Sequence, residues 1–188
     1  VDGWLDFSGN TDNTNTLFLL NAKIGPYTRS LGIYKCPGDV YDCVIRGVKM
    51  PRVRSVSMNA YIEGGAYRSR SGSSAADPIY YCYNKMSDIV FPPPTKLWVF
   101  NDEHADSIND GWEVNSPNPD AGWTDLPASY HGGTCGFSFA DGHSEIKKWQ
   151  EKSTIVRVTR NQFNGFPATN SRDRRWVMER STAFSGGQ

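Results

Sequence analysis

The chain has 188 residues, which is enough to bury a hydrophobic core, and we expect residues 1–188 to form a single domain. Its 20 basic and 20 acidic residues cancel, so a nucleic-acid-binding protein is not expected, because such binding depends mainly on phosphate neutralisation. No apolar stretch approaches the roughly 20 residues that a membrane-spanning helix needs.

The first 30 residues predict irregular structure followed by one short helix. Residues 1–16 are rich in Asn, Asp, Thr and Gly, which favour turns. Residues 17–30 begin with the apolar run LFLL, and we expect a helix there that ends near Gly25-Pro26.

Four later segments predict a small antiparallel sheet, because their apolar side chains alternate with polar ones or cluster over strand-like lengths. These segments are residues 52–62, 95–102, 133–140 and 143–149. Long polar loops at 63–78 and 104–130 separate them. A second short helix is predicted at 171–181, with Ser171 as its N-cap.

The last two predicted strands flank Asp141-Gly142, which is a strong signal for a two-residue hairpin turn. A type I′ turn needs positive φ at both central residues, and Asp and Gly tolerate it. Phe137 and Phe139 alternate with small side chains before the turn. One face of this hairpin is therefore expected to be buried.

The order of four sequence blocks resembles a known family. His131, nine further residues and Asp141-Gly142 resemble the His-X9-Asp-Gly element of a large family of prepilin-like bacterial proteins, which are related to the pseudopilins of type II secretion. The blocks that agree in order are YKCPGD (34–39), VRSVSMNAYI (53–62), residues 92–112 and SYHGGTCGFSFADGH (129–143). Full-length members begin with a basic leader and an apolar helix, whereas this chain opens with VDGWLDFSGN, so we expect a fragment or a processed form.

The resemblance implies an α+β fold, with a small antiparallel β-sheet, long loops and few short helices, like the globular domain of a pseudopilin. It implies an extracytoplasmic domain, in the periplasm, at the cell surface or secreted, of a subunit of a type II secretion or type IV pilus-like assembly. The expected role is structural, and the expected partners are other pseudopilin or pilus subunits. Membrane contact is expected only through the missing N-terminal helix. Without that helix, an uncovered face of the sheet would be an exposed apolar patch. We expect either that loops cover this face or that the chain is a fragment which the missing segment completes.

Four cysteines in an exported domain predict disulfide bonds, because oxidising compartments favour paired cysteines. No CxxC pair occurs, which argues against a structural zinc site. Of the three possible pairings we expect Cys36–Cys43 and Cys82–Cys135, because Cys36 and Cys43 flank a short turn-like segment. The alternative is a set of free buried thiols in a cytosolic protein.

A cation site is predicted near the start of the 133–140 strand. If strand 95–102 runs antiparallel beside that strand, the end of the first meets the beginning of the second. The candidate ligands that this arrangement places together are Asp102, Glu103, His104, Asp106 and His131. The alternative is that His131 hydrogen-bonds to a loop carbonyl or a carboxylate and pins its loop against the sheet.

Two oxygen-rich runs, at 6–15 and 106–111, make calcium or another divalent cation the candidate cofactor. The resemblance points the same way, because related pseudopilins carry calcium in a loop near the end of the sheet. Neither run has the spacing of an EF-hand. The alternative is a set of Asx-turns, in which Asn and Asp side chains accept from their own backbone.

A secreted carbohydrate-binding or glycoside-active protein is the second functional class. Trp4, Trp112 and Trp123 lie in predicted loops and favour a flat platform for a polysaccharide, with core side chains as the alternative. No nucleophile-elbow, metalloprotease or P-loop motif occurs. We therefore expect no catalytic residue; if the chain is an enzyme, a glycoside hydrolase is expected, with carboxylates drawn from Glu103, Asp106, Asp110 and Glu113.

Overall fold

The structure is a computed structural model and describes residues 11–62 and 80–184. These residues form seven strands and three short α-helices. The strands are β1 Cys43–Ile45, β2 Val48–Met50, β3 Val56–Asn59, β4 Trp98–Asp102, β5 Trp112–Glu113, β6 Thr134–Phe139 and β7 Ser144–Lys148. The α-helices are α1 Leu17–Leu20, α2 Gly25–Thr28 and α3 Arg172–Met178. Four 3-10 helices are Asp12–Thr14, Leu31–Tyr34, Met86–Asp88 and Lys152–Thr154. No helix in these described ranges is both long enough and apolar enough to cross a membrane.

The central element is a five-stranded sheet in the order β5-β3-β4-β6-β7. Only β3 and β5 run parallel, and the other neighbours are antiparallel. Strands β1 and β2 form a separate hairpin. The predicted α+β class is confirmed, and β3, β4, β6 and β7 are the four strands that the sequence predicts, each shorter than its predicted segment.

The β6–β7 hairpin is confirmed, but the predicted type I′ turn is wrong. The backbone N–H of Gly142 donates to the Phe139 carbonyl at 3.0 Å, and the N–H of Phe139 donates to the His143 carbonyl at 2.9 Å. Gly142 has φ +94, whereas Asp141 is not among the residues with positive φ. Asp141 instead accepts from the backbone of His143 in an Asx-turn, so the loop has three residues with glycine in the left-handed position.

The predicted helix at 17–30 is divided into α1 and α2, and Gly25-Pro26 begins the second helix instead of ending the first. Proline suits the first turn of a helix, where its missing N–H has no intrahelical partner to lose. A Cβ on Gly25 would lie 2.4 Å from the Leu20 carbonyl oxygen, so the two helices can meet this closely only at glycine.

One face of the large sheet packs on α3 and forms the main core. Phe137, in β6, contacts Trp98 and Trp176 edge-to-face, at ring-centroid distances of 5.8 and 5.1 Å. Ser171 is the N-cap of α3, as predicted, and accepts from the Arg174 backbone at 3.1 Å. This packing fixes the sheet and leaves its opposite face available.

Candidate functional site

The opposite face of the large sheet carries an apolar groove of about 630 Å³. It arises from strand alternation: in β6 the buried Cys135, Phe137 and Phe139 point to the core, and Gly136 and Ser138 point to the groove. The sheet lines the groove with Val56, Met58, Phe100, Gly136, Ser138 and Ile146, and Ile24 and Ile33 form a wall. Gly136 and Ser138 form a floor of small residues, and larger apolar side chains surround it. This shape suits an apolar occupant that lies close to the backbone of the sheet.

The apolar surface continues beyond the groove. Ile146 is 79% exposed in the middle of β7, where a soluble strand would normally carry a polar side chain. The neighbouring segment before β1 exposes further large apolar side chains, namely Leu17, Phe18, Leu20, Ile24, Tyr27 and Ile33. Of these residues, Ile24 and Ile33 also line the groove, and large exposed apolar patches are typical of interaction sites.

Cys36, Asp102 and His131 meet at one end of the groove, where Asp102 forms part of the lining. The Sγ of Cys36 lies 3.0 Å from Nε2 of His131. Burial raises the pKa of Asp102, and hydrogen bonds from Ser55 and Cys36 and the nearby His131 oppose that rise. Burial also raises the pKa of the Cys36 thiol above its ordinary value, so this group is protonated at neutral pH.

Glycines fix the geometry of this cluster. A Cβ on Gly38 would lie 2.8 Å from Cε1 of His131, so the loop that carries Cys36 packs directly on the imidazole ring. The N–H of Gly38 donates to the Cys36 Sγ at 3.3 Å. Gly132 and Gly133, with φ of +65 and +83, form the tight turn that returns the chain from His131 into β6.

A second polar cluster lies inside the protein, on the other side of β4. Asn101 and Glu103 point opposite to Asp102 and are buried. Glu103 accepts from the Ser57 hydroxyl and, at 2.8 Å, from the Ser107 hydroxyl. The amide Nδ2 of Asn101 donates to Oε2 of Glu113 at 2.6 Å.

Burial dominates the chemistry of these interior acids. It raises the pKa of Glu113 to about 8, with Asp125 raising it further and the hydrogen bond from Asn101 opposing the rise. Burial and the charges of Asp125 and Glu113 raise the pKa of Glu103 well above its ordinary value. Burial lowers the pKa of the neighbouring Arg54 to about 10. Near neutral pH, Glu113 is therefore largely a neutral acid in the folded chain.

The structure brings only two of the five predicted cation ligands together. Asp102 and His131 meet, because β4 and β6 pair antiparallel as the prediction assumed. Glu103 points into the interior cluster, because consecutive residues of an extended chain face opposite sides.

His104 and Asp106, the other two predicted ligands, are committed to the backbone. Nε2 of His104 lies 3.1 Å from the Val156 carbonyl oxygen. Asp106 accepts from the backbone N–H groups of Thr159, at 2.6 Å, and Arg160, at 2.9 Å. Within residues 11–62 and 80–184, no group of three or more His, Cys, Asp or Glu side chains is arranged to hold a metal ion, and a cation site formed by these five residues stays a prediction.

Asx-turns account for part of the oxygen-rich runs. Oδ1 of Asp110 accepts from the Trp112 N–H at 2.9 Å, and Oδ1 of Asn15 accepts from the Leu17 N–H at 3.0 Å. Residues 6–10 of the first run lie outside the described residues. Calcium binding stays a prediction, and a chelator that leaves the melting temperature unchanged would reject it.

The structure describes two of the three tryptophans of the predicted platform, Trp112 and Trp123. Trp123 is only 2% exposed and belongs to the core, so it offers no ring face to a sugar. Trp112 is half-buried in β5, and Trp4 lies outside the described residues. The candidate hydrolase acids Glu103 and Glu113 are enclosed rather than placed along a cleft.

The structure forms neither predicted disulfide, Cys36–Cys43 nor Cys82–Cys135, and all four cysteines lie in the described ranges. The thiol of Cys36 faces His131, and that of Cys43 donates to the Met50 carbonyl at 3.3 Å. Cys135 points into the core under the sheet, whereas Cys82 packs at a separate apolar cluster. Sequence reasoning missed Cys36 as the partner of His131, because 95 residues separate them and no spacing rule connects them.

Comparisons of the chain with protein-family models, with curated proteins and with solved structures found no match.

Proposed function

We propose that this chain is the extracytoplasmic domain of a pseudopilin-like subunit, with a structural role in a type II secretion or type IV pilus-like assembly. The observation that supports the proposal most is the apolar groove on the free face of the large sheet. The occupant that we infer is an apolar α-helix, supplied by the same subunit or by a neighbouring one.

The shape of the groove suits a helix. Gly136 and Ser138 keep its floor low, so a helix backbone can come close to the sheet. Val56, Phe100 and Ile146 then contact apolar side chains on the helix. Burying apolar surface on both partners stabilises such a contact by about 25 cal/mol for each Å² removed from water.

The groove alone does not say which assembly the subunit belongs to. The resemblance of the four sequence blocks to prepilin-like proteins is what points to a type II secretion or type IV pilus-like assembly. It is also the only support for the extracytoplasmic location, because the unpaired thiols of Cys36, Cys43 and Cys135 remove the argument from disulfides.

The experiment tests incorporation into an assembly. Ser138→Trp fills the floor of the groove, and Ile146→Asp places a charge on its open side. In source cells we expect both variants to be lost from the membrane- and fibre-associated fractions that contain the wild type. The isolated variants should melt near the wild-type temperature, because Ile146 is exposed and Ser138 borders the open groove.

Val48→Asp is the matched control, because Val48 is also an exposed apolar strand residue but lies in the separate β1–β2 hairpin. It should be incorporated like the wild type. Incorporation of the two groove variants at the wild-type level, or a wild type that occurs in neither fraction, would overturn the proposal.

A further inference from the structure

Cys36 and His131 bring a sulfur nucleophile and a proton acceptor within hydrogen-bond distance, with Sγ 3.0 Å from Nε2. Cys36 is held from four sides: its backbone N–H donates to the Ser55 hydroxyl at 2.7 Å, its sulfur accepts from the Gly38 N–H, its thiol donates to Asp102, and the imidazole lies against it. Neither the structural role of the groove nor the core packing requires this thiol–imidazole pair.

The pair differs from the other thiols of the chain. Cys43 and Cys135 each direct Sγ to a backbone carbonyl, which can accept a hydrogen bond but cannot take up the proton. The imidazole beside Cys36 can take it up, and His131 is itself exposed to solvent. A proton that leaves the sulfur therefore has a direct route to water.

We propose that Cys36 is an oxidation site for small hydroperoxides and that His131 transfers the proton in the reaction. Cys36 is only 9% exposed, so its co-reactant must be small enough to enter beside the imidazole ring. Hydrogen peroxide and short alkyl hydroperoxides meet that condition, whereas a bulky acyl or peptide substrate does not. The Gly38 N–H favours the sulfur when it carries negative charge.

The reaction begins when Nε2 of His131 takes the proton of the Cys36 thiol and the sulfur attacks one oxygen of the hydroperoxide. The S–O bond forms, the O–O bond breaks, and the electron pair of that bond stays with the leaving alkoxide or hydroxide. The leaving group takes the proton from His131, so the sulfur is oxidised to a sulfenic acid and the peroxide is reduced to an alcohol or water.

The experiment treats the whole chain with hydrogen peroxide in the presence of a metal chelator, which prevents metal-catalysed oxidation. Sulfenic acid is trapped with dimedone and quantified at each cysteine by peptide mass spectrometry. We expect Cys36 to be labelled at least about tenfold faster than Cys82, because a positioned proton acceptor typically accelerates a reaction by about 10²–10⁴-fold. Cys82 is the internal control because it is more exposed than Cys36, so accessibility alone would give the reverse order.

Two variants separate proton transfer from structure. His131→Ala should slow labelling of Cys36 at least about tenfold without changing that of Cys82, and added imidazole should restore it, because the vacated site is open to solvent. His131→Gln keeps a polar side chain and should show the same loss.

Labelling of Cys36 in the wild type that is no faster than that of Cys82 would overturn the proposal, and this comparison needs no variant to fold. An undiminished rate in either folded variant would overturn it as well. The outcome is independent of the pseudopilin assignment, because incorporation into an assembly is not measured.

Discussion

Replacing Glu113 by glutamine should remove a pH-dependent loss of stability that this buried acid imposes on the chain. Glu113 is 1% exposed, and burial raises its pKa from 4.5 to about 8. In the unfolded chain the acid regains its ordinary pKa. Between these two values the folded state retains a proton that the unfolded state has released, so the free energy of unfolding falls as the pH rises. Below pH 4.5 both states are protonated and the effect vanishes.

The magnitude follows from the two pKa values. At about 1.4 kcal/mol for each pKa unit, a rise from 4.5 to about 8 corresponds to a total loss of about 5 kcal/mol, of which about 3.5 kcal/mol falls between pH 5 and pH 8. Glutamine resembles the neutral acid and keeps a carbonyl for the hydrogen bond from Asn101.

The assay is urea unfolding of the wild type and of Glu113→Gln at several pH values from 5 to 8. The variant should approach or exceed the wild-type free energy of unfolding as the pH rises, with a flatter dependence on pH. Glu179→Gln is the matched control, since Glu179 is exposed at the end of α3, and its curve should run parallel to the wild-type curve. If the Glu113→Gln curve is also parallel, the interior acid does not carry the pKa that its burial implies, and the argument fails.

Three further substitutions test packing, charge and capping by the free energy of unfolding in urea. Phe137→Ala should lower it by about 3–5 kcal/mol, because the ring lies at the centre of the core; a loss below about 1 kcal/mol would contradict that placement. Asp39→Asn should lower the free energy of unfolding by about 3–5 kcal/mol, because the buried Arg52 loses the carboxylate that lies 2.6 Å away. Asp88→Asn is the control and should cost much less, because the ion pair of Asp88 with Lys85 is largely exposed. Ser171→Ala should cost about 1 kcal/mol through loss of the α3 cap, and an unchanged stability would show that the cap is replaced by water.

The strands that the sequence predicted are those whose own side chains carry the period-two signal. In β6 the apolar Phe137 and Phe139 alternate with Gly136 and Ser138, and this pattern predicted both the strand and its buried face. Strand β5, Trp112–Glu113, has only two residues, which is too short for any alternation to be detected. Its place beside β3 depends on pairing across the fold instead of on local sequence.

The turns show where local propensity misleads. Both Arg46 and Gly47 have positive φ, at 50 and 79, in the two-residue turn between β1 and β2. This is the conformation that the sequence predicted at Asp141-Gly142, where the structure has a three-residue loop. Arginine rarely adopts positive φ, so its residue type gives no warning of the turn, and the pairing of Cys43 with Met50 imposes it.

The predicted cation ligands are separated for a reason that the sequence itself contains. Residues 102 and 103 were grouped as ligands of one cation because both are carboxylates, yet adjacent side chains at the end of a strand face opposite sides of the sheet. Asp102 therefore lies at the groove with His131, and Glu103 lies in the interior, where burial raises its pKa. Strand periodicity, applied to the predicted segment 95–102 and its next residue, is by itself enough to divide this set of ligands. Strand periodicity cannot predict that Cys36 contacts His131, because the two residues are 95 positions apart in the sequence. Their contact depends on the tertiary packing of the Cys36 loop, in which Gly38 lies against the imidazole ring.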